Sequence, residues 1–258
     1  MDKYTIITGA SSGIGYELSK LFAKGGNNLI LVARNYEALY KVKEEISKLS
    51  DVDIEVLSID LSNEDSVECI LDFVKKKNIF VDNLVNNAGL GDFGEFSKSD
   101  YKRQLDMIQV NIMALTKLTK VFIEDMVQRG TGSILNVAST AAFAPGSNMS
   151  VYYATKAFVL SFTEALYEEN TKKGIRVMAL CPGAVNTGFQ QKAGIKKSKL
   201  AKGNIMAQEE VAIIGYTKFI KTNKAIVIPG FKNKLLIQTM RILPRSLIRK
   251  IIKRVNKG

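Results

Sequence analysis

Ser139, Tyr152 and Lys156 are the residues in this chain whose types and spacing could carry acid–base chemistry. Tyr152 and Lys156 stand four apart at the start of a segment of helical period, so their side chains project from one face. An ammonium in that position favours a phenolate. A tyrosine with its ordinary pKa near 10 is a poor base at neutral pH, and a nearby cation lowers it. Ser139 follows a run, Ser133 to Val137, that reads as a strand. At the C-terminal end of such a strand its hydroxyl could hold a substrate oxygen. The chain has no histidine, which excludes Ser-His-Asp hydrolysis, Cys-His proteolysis, His-ligated zinc and haem. Its two cysteines, Cys69 and Cys181, supply neither a disulfide framework nor a four-thiolate metal site, so no metal is expected and a reduced, cytoplasmic setting is.

The elements that must position these groups alternate. Short β-branched runs near Tyr4–Thr8, Leu29–Val32, Ile54–Ile59, Asn83–Val85, Ser133–Val137, Val177–Leu180 and Ala225–Ile228 read as seven strands. Helical period fills Gly13–Lys24, Tyr36–Leu49, Glu64–Lys77, Asp100–Gln128, Tyr152–Lys173 and Gln208–Lys221. This pattern predicts an α/β fold, a Rossmann-type doubly wound sheet of seven parallel strands with helices on both faces. A single domain is expected over residues 1–230, followed by a basic amphipathic extension over 231–258. A hydrophobic fraction of 46% and a charged fraction of 24% fit a folded soluble chain. No signal-like segment is read at the front, and no apolar run reaches the roughly 18–20 residues of a spanning helix.

The first strand feeds a glycine-rich turn, Thr8-Gly9-Ala10-Ser11-Ser12-Gly13-Ile14-Gly15, and then a helix. That arrangement lets backbone approach a pyrophosphate while helix N–H groups stabilise its charge. At the end of the second strand a nicotinamide dinucleotide with a free ribose 2′-hydroxyl calls for Asp or Glu. Here the sequence is Val32-Ala33-Arg34-Asn35, with an arginine suited to a 2′-phosphate, so NADP(H) is the expected cofactor. Asp60, after the third strand, could reach the adenine with Leu61 beside it, or could lie in the N-cap region of the next helix.

With these residues assembled, the chain resembles the short-chain dehydrogenase/reductase family. The glycine turn, Asn86-Asn87-Ala88-Gly89, Asn111, the spacing Ser139…Tyr152…Lys156, and Pro182-Gly183 followed by Thr187 match its motifs over about residues 4–230. The resemblance implies that Tyr152 is the general acid/base, Ser139 stabilises the substrate oxygen, and Lys156 tunes Tyr152 and binds the nicotinamide ribose. Asn111 would support a water-mediated proton relay. Asn87, Ala88 and Gly89 would tie the sheet together below the cofactor, while Pro182, Gly183, Val185 and Thr187 would contact its nicotinamide end. Hydride transfer between nicotinamide and a ketone or secondary alcohol follows, with hydroxysteroids and 3-oxoacyl chains as leading substrates. A non-catalytic NADPH-binding regulator is the competing reading, and the complete set of polar residues argues against it. The family also implies a homodimer or homotetramer through the two long helices.

The net charge of +12 is unevenly placed. Nine bases and no acid fall between Phe231 and Gly258, and five lysines with no acid fall between Gly188 and Gln208, leaving the rest close to neutral. This is not the pattern of a domain that coats nucleic acid. Residues 184–207 read as a substrate loop whose lysines either attract an anionic substrate or are simply solvated. Tyr153 is read as packing, and Cys181 as a buried structural thiol. In the tail, Leu247, Ile248, Ile251, Ile252 and Val255 fall on an arc of about 140° opposite a basic face, with Pro244 marking a start or break. The strip is expected to dock on protein, its own domain or a second subunit; peripheral contact with an anionic membrane is the alternative.

Overall fold

The computed structural model describes residues 3–194 and 205–256 of the chain. Lys196, Lys197, Lys199, Lys202 and Gly203 of the expected substrate loop, and Lys257 of the tail, lie outside the described residues. Strands β1 (Tyr4–Thr8), β2 (Asn28–Ala33), β3 (Ile54–Ser58), β4 (Val81–Asn86), β5 (Gly132–Val137) and β6 (Ile175–Leu180) alternate with helices α1 (Gly13–Lys24), α2 (Tyr36–Ser47), α3 (Ser66–Lys76), α4 (Tyr101–Ile108), α5 (Leu115–Arg129) and α6 (Ser150–Asn170). A short pair, β7 (Val185–Asn186) and β8 (Met206–Ala207), flanks α7 (Gly188–Lys192). The chain then runs through α8 (Gln208–Lys221), β9 (Ile226–Val227), α9 (Phe231–Ile242) and α10 (Arg245–Val255).

Seven strands form one parallel sheet in the order β3-β2-β1-β4-β5-β6-β9. The order reverses direction at β1/β4, which is where a doubly wound sheet opens a crevice at its carboxyl edge. Both faces of the sheet are covered because successive strand residues point opposite ways. Ile7 and Leu31 pack with Leu18, Phe22, Val211 and Phe219 of α1 and α8. Ile6 and Ile30 pack with Ile70, Leu118 and Phe122 of α3 and α5 on the other side.

Three differences from the sequence reading have physical causes. The segment expected as one helix over Asp100–Gln128 contains a π-helical stretch, Gln109–Ala114, between α4 and α5. Asn111 lies within it, and π segments of this kind recur at functional sites. The two-stranded ribbon β7–β8 was not anticipated; Met206 N–H donates to the Ala184 carbonyl at 3.0 Å and so closes the base of the 184–207 segment. In the tail, α10 starts after Pro244 as the sequence suggested, but the helix before it, α9, was not anticipated. Among the described residues no helix is long and apolar enough to cross a membrane.

Candidate active site

The turn after β1 is shaped by close approach. Gly9 and Gly13 have left-handed backbones, with φ of +66° and +62°, a region open to glycine at little cost. A methyl group at Gly15 would overlap the Asn87 amide and the Gly9 carbonyl. Asn87 Nδ2 donates to the Thr8 and Gly9 carbonyls at 2.9 and 3.2 Å. Thr8 Oγ1 accepts from the Asn87 and Ala88 N–H groups, both at 3.0 Å, so β1 and β4 are tied where the crevice opens. Ser12 stands at the N-cap of α1 with an extended backbone, and its side chain makes no capping bond. The N-terminus of α1 is therefore free to meet an anion.

A cavity of about 380 Å³ runs along this edge of the sheet. Every residue expected at the site lines it except Gly15 and Asn111. Gly15 acts from behind, through the close contacts just described. Arg34 lies at one end, half exposed, with Nη1 3.7 Å from Asp60 Oδ2. Asp60 also accepts from Ser62 N–H and Oγ at 3.0 and 2.8 Å, so its carboxylate organises the turn after β3. Asn35 lines the cavity, but its side-chain oxygen is used as the N-cap of α2, accepting from Ala38 N–H at 2.9 Å. Thr187 caps α7 and its methyl group faces Gly13, which folds the segment after Pro182-Gly183 over the glycine turn.

Ser139, Tyr152 and Lys156 meet at the other end. Ser139 Oγ accepts from Ala141 N–H at 3.1 Å and donates to the Pro182 carbonyl at 3.5 Å. Lys156 is buried, donates from Nζ to the Val137 carbonyl at 2.8 Å, and lies 6.0 Å from the Tyr152 ring centre. Burial pushes the Tyr152 phenol up to about 12, with Ser139 opposing it. Burial also pushes Lys156 down to about 8, partly offset by Cys181. Burial thus favours the neutral phenol, the form that donates a proton. Cys181 is buried, and its thiol is pushed up to about 12 by that burial, which keeps it inert.

Asn111 does not reach the cavity. Its Oδ1 accepts from Leu90 N–H at 2.8 Å, and its Nδ2 donates to the Leu90 carbonyl and Thr155 Oγ1, both at 3.0 Å. These bonds commit both amide hydrogens and lock the loop after Gly89 to α6, beside Lys156.

The apolar face of α10 docks on its own domain, one of the readings the sequence offered for this strip. Ile248 and Ile252 of α10 pack against Met149 and Tyr153, which themselves line the cavity. Buried Asn256 donates from Nδ2 to the Ser147 carbonyl at 2.8 Å; its Oδ1 accepts from the Tyr153 hydroxyl at 3.4 Å, and its carbonyl accepts from Asn148 Nδ2 at 3.3 Å. Asn148, with φ of +62°, is held in a conformation that a non-glycine residue rarely adopts. Replacing Asn256 by alanine strands the Ser147 and Tyr153 partners, at a cost of about 1–3 kcal/mol. The expected result is a lower melting temperature, checked by calorimetry.

The chain is similar to known proteins. The family model for short chain dehydrogenase matches residues 3–198. The chain belongs to the short-chain dehydrogenase/reductase family. It is 31% identical over 217 residues to mouse 17-beta-hydroxysteroid dehydrogenase type 3, covering 83% of this chain and 70% of that one. It is 32% identical over 191 residues to the very-long-chain 3-oxoacyl-CoA reductase of Bos taurus, covering 72% of this chain and 61% of that protein. Among solved structures, a short-chain dehydrogenase from Sphingobium yanoikuyae in complex with NADPH superposes with a TM-score of 0.82 at 30% identity, covering 95% of this chain and 97% of that one. Family membership makes the chain an oxidoreductase.

Proposed function

We propose that the protein is an NADP(H)-dependent reductase that interconverts an apolar ketone and its secondary alcohol. The observation that carries this reading is the convergence of Ser139, Tyr152 and Lys156 at one end of a cavity whose other end holds Arg34. The glycine cradle, the uncapped N-terminus of α1 and the Arg34 guanidinium fit the phosphates of NADPH. When bound, that nucleotide supplies a hydride to the carbonyl carbon. Ser139 Oγ and the Tyr152 hydroxyl hold the substrate oxygen, and Tyr152 gives it a proton in reduction or takes one in oxidation. Lys156, fixed by the Val137 carbonyl, places positive charge beside the phenol and the nicotinamide ribose. Met149, Tyr153 and Phe189 give the substrate end an apolar wall, which favours hydroxysteroid or 3-oxoacyl substrates, as do the names of the two relatives.

The test is NADPH consumption against a panel of steroids, oxoacyl thioesters and small ketones. Turnover of the bulky apolar members supports the assignment, and turnover of none removes it. Replacing Arg34 by alanine removes a charge-assisted contact of about 1.5–3 kcal/mol. NADPH affinity should fall roughly 10- to 100-fold with NADH affinity little changed, and fluorescence titration of both nucleotides checks it. Leu105, Ile108 and Met113 on the α4–α5 path and Phe158 on α6 are exposed apolar side chains, which supports assembly of subunits through these helices.

A further inference from the structure

We infer that the outer face of α9 and α10 is a docking surface for an anionic lipid bilayer, placed beside the mouth of the substrate cavity. Seven of the nineteen large apolar side chains exposed among the described residues fall in these two helices. On α9, Phe231, Leu235 and Ile242 share one face at helical spacing, and two of them, Phe231 and Ile242, are 78% and 84% exposed. On α10, Leu247, Ile251 and Val255 form an outward strip along the flank of the buried pair Ile248 and Ile252. Lys250 and Arg254 run along that strip at i+3 spacing from Leu247 and Ile251 and are exposed.

Charge selects the occupant. The described part of this segment carries eight exposed cations and no acid. A twofold contact between two copies would set this cationic face against itself, because such an interface uses the same patch on both subunits. An anionic headgroup layer instead pairs with the cations while the apolar strips enter the acyl boundary. The inner face of α10 packs on Met149 and Tyr153 of the cavity wall, so a lipid-soluble ketone would leave the bilayer next to the site.

The full-length protein is sedimented with phosphatidylcholine vesicles and with vesicles that also contain phosphatidylglycerol. Binding to the anionic vesicles alone, reversed by salt, is expected. Ile242→Gln with Ile251→Gln should abolish it, and Lys250→Gln with Arg254→Gln should weaken it about thirtyfold, at about fivefold for each charge. All four side chains are exposed and none lines the cavity, so turnover of a water-soluble ketone should stay unchanged and report a folded enzyme. The proposal is overturned by absence of binding to anionic vesicles, or by full binding in the Ile242→Gln, Ile251→Gln protein. It is also overturned if analytical ultracentrifugation finds a dimer that those two substitutions dissolve.

Discussion

Tyr152→Phe should bind NADPH as the parent does and reduce ketone about 10²- to 10⁴-fold more slowly, the usual contribution of a positioned general acid. The substitution removes one oxygen. Its ring keeps the packing against Phe189, 5.5 Å between ring centres, so the cavity wall survives. What is lost is the proton at the substrate oxygen. Steady-state NADPH oxidation, with nucleotide affinity measured separately, checks the outcome. Equal turnover in the two proteins would transfer the acid's role to another group.

Lys156→Met should be the second large loss, because one side chain serves two purposes. Its ammonium holds the Val137 carbonyl at the end of β5 and supplies positive charge near Tyr152. Burial has lowered Lys156 to about 8, so its charge is present below that pH and is lost as pH rises through it. The quantity kcat/KM for NADPH reports groups of the free enzyme. It should therefore fall as pH rises through about 8 in the parent, and this limb should disappear in Lys156→Met, whose activity is low throughout. A fall carried unchanged into the variant would assign the limb to a different group.

Much of the fold was legible because β-branched runs and helical period alternate so regularly that few sheets could bury them all. The residues of the site were legible where they act through local spacing: Tyr152 and Lys156 share a helix face, and Gly9, Gly13 and Gly15 sit on one turn. The π-helical stretch at Asn111 was not, since a small change in hydrogen-bond register leaves the apolar period nearly intact. The N-cap role of Asn35 lay one residue from the Arg34 reading and was masked by it. Asn256 carried no sequence signal at all. Its partners Ser147, Asn148 and Tyr153 are more than a hundred residues away, and the period of α10 shows that one face is apolar without showing what it meets. Tyr153, read as packing, does pack, and it also links that tail to the cavity wall.

The most direct measurement is the fate of the hydrogen on nicotinamide C4. A bulky ketone is reduced with NADPH carrying deuterium at both C4 positions, and the alcohol is analysed by mass spectrometry. Deuterium on the carbinol carbon, one per molecule formed, is the predicted result. An alcohol free of label, or NADPH bound without any ketone in the panel being reduced, would contradict it.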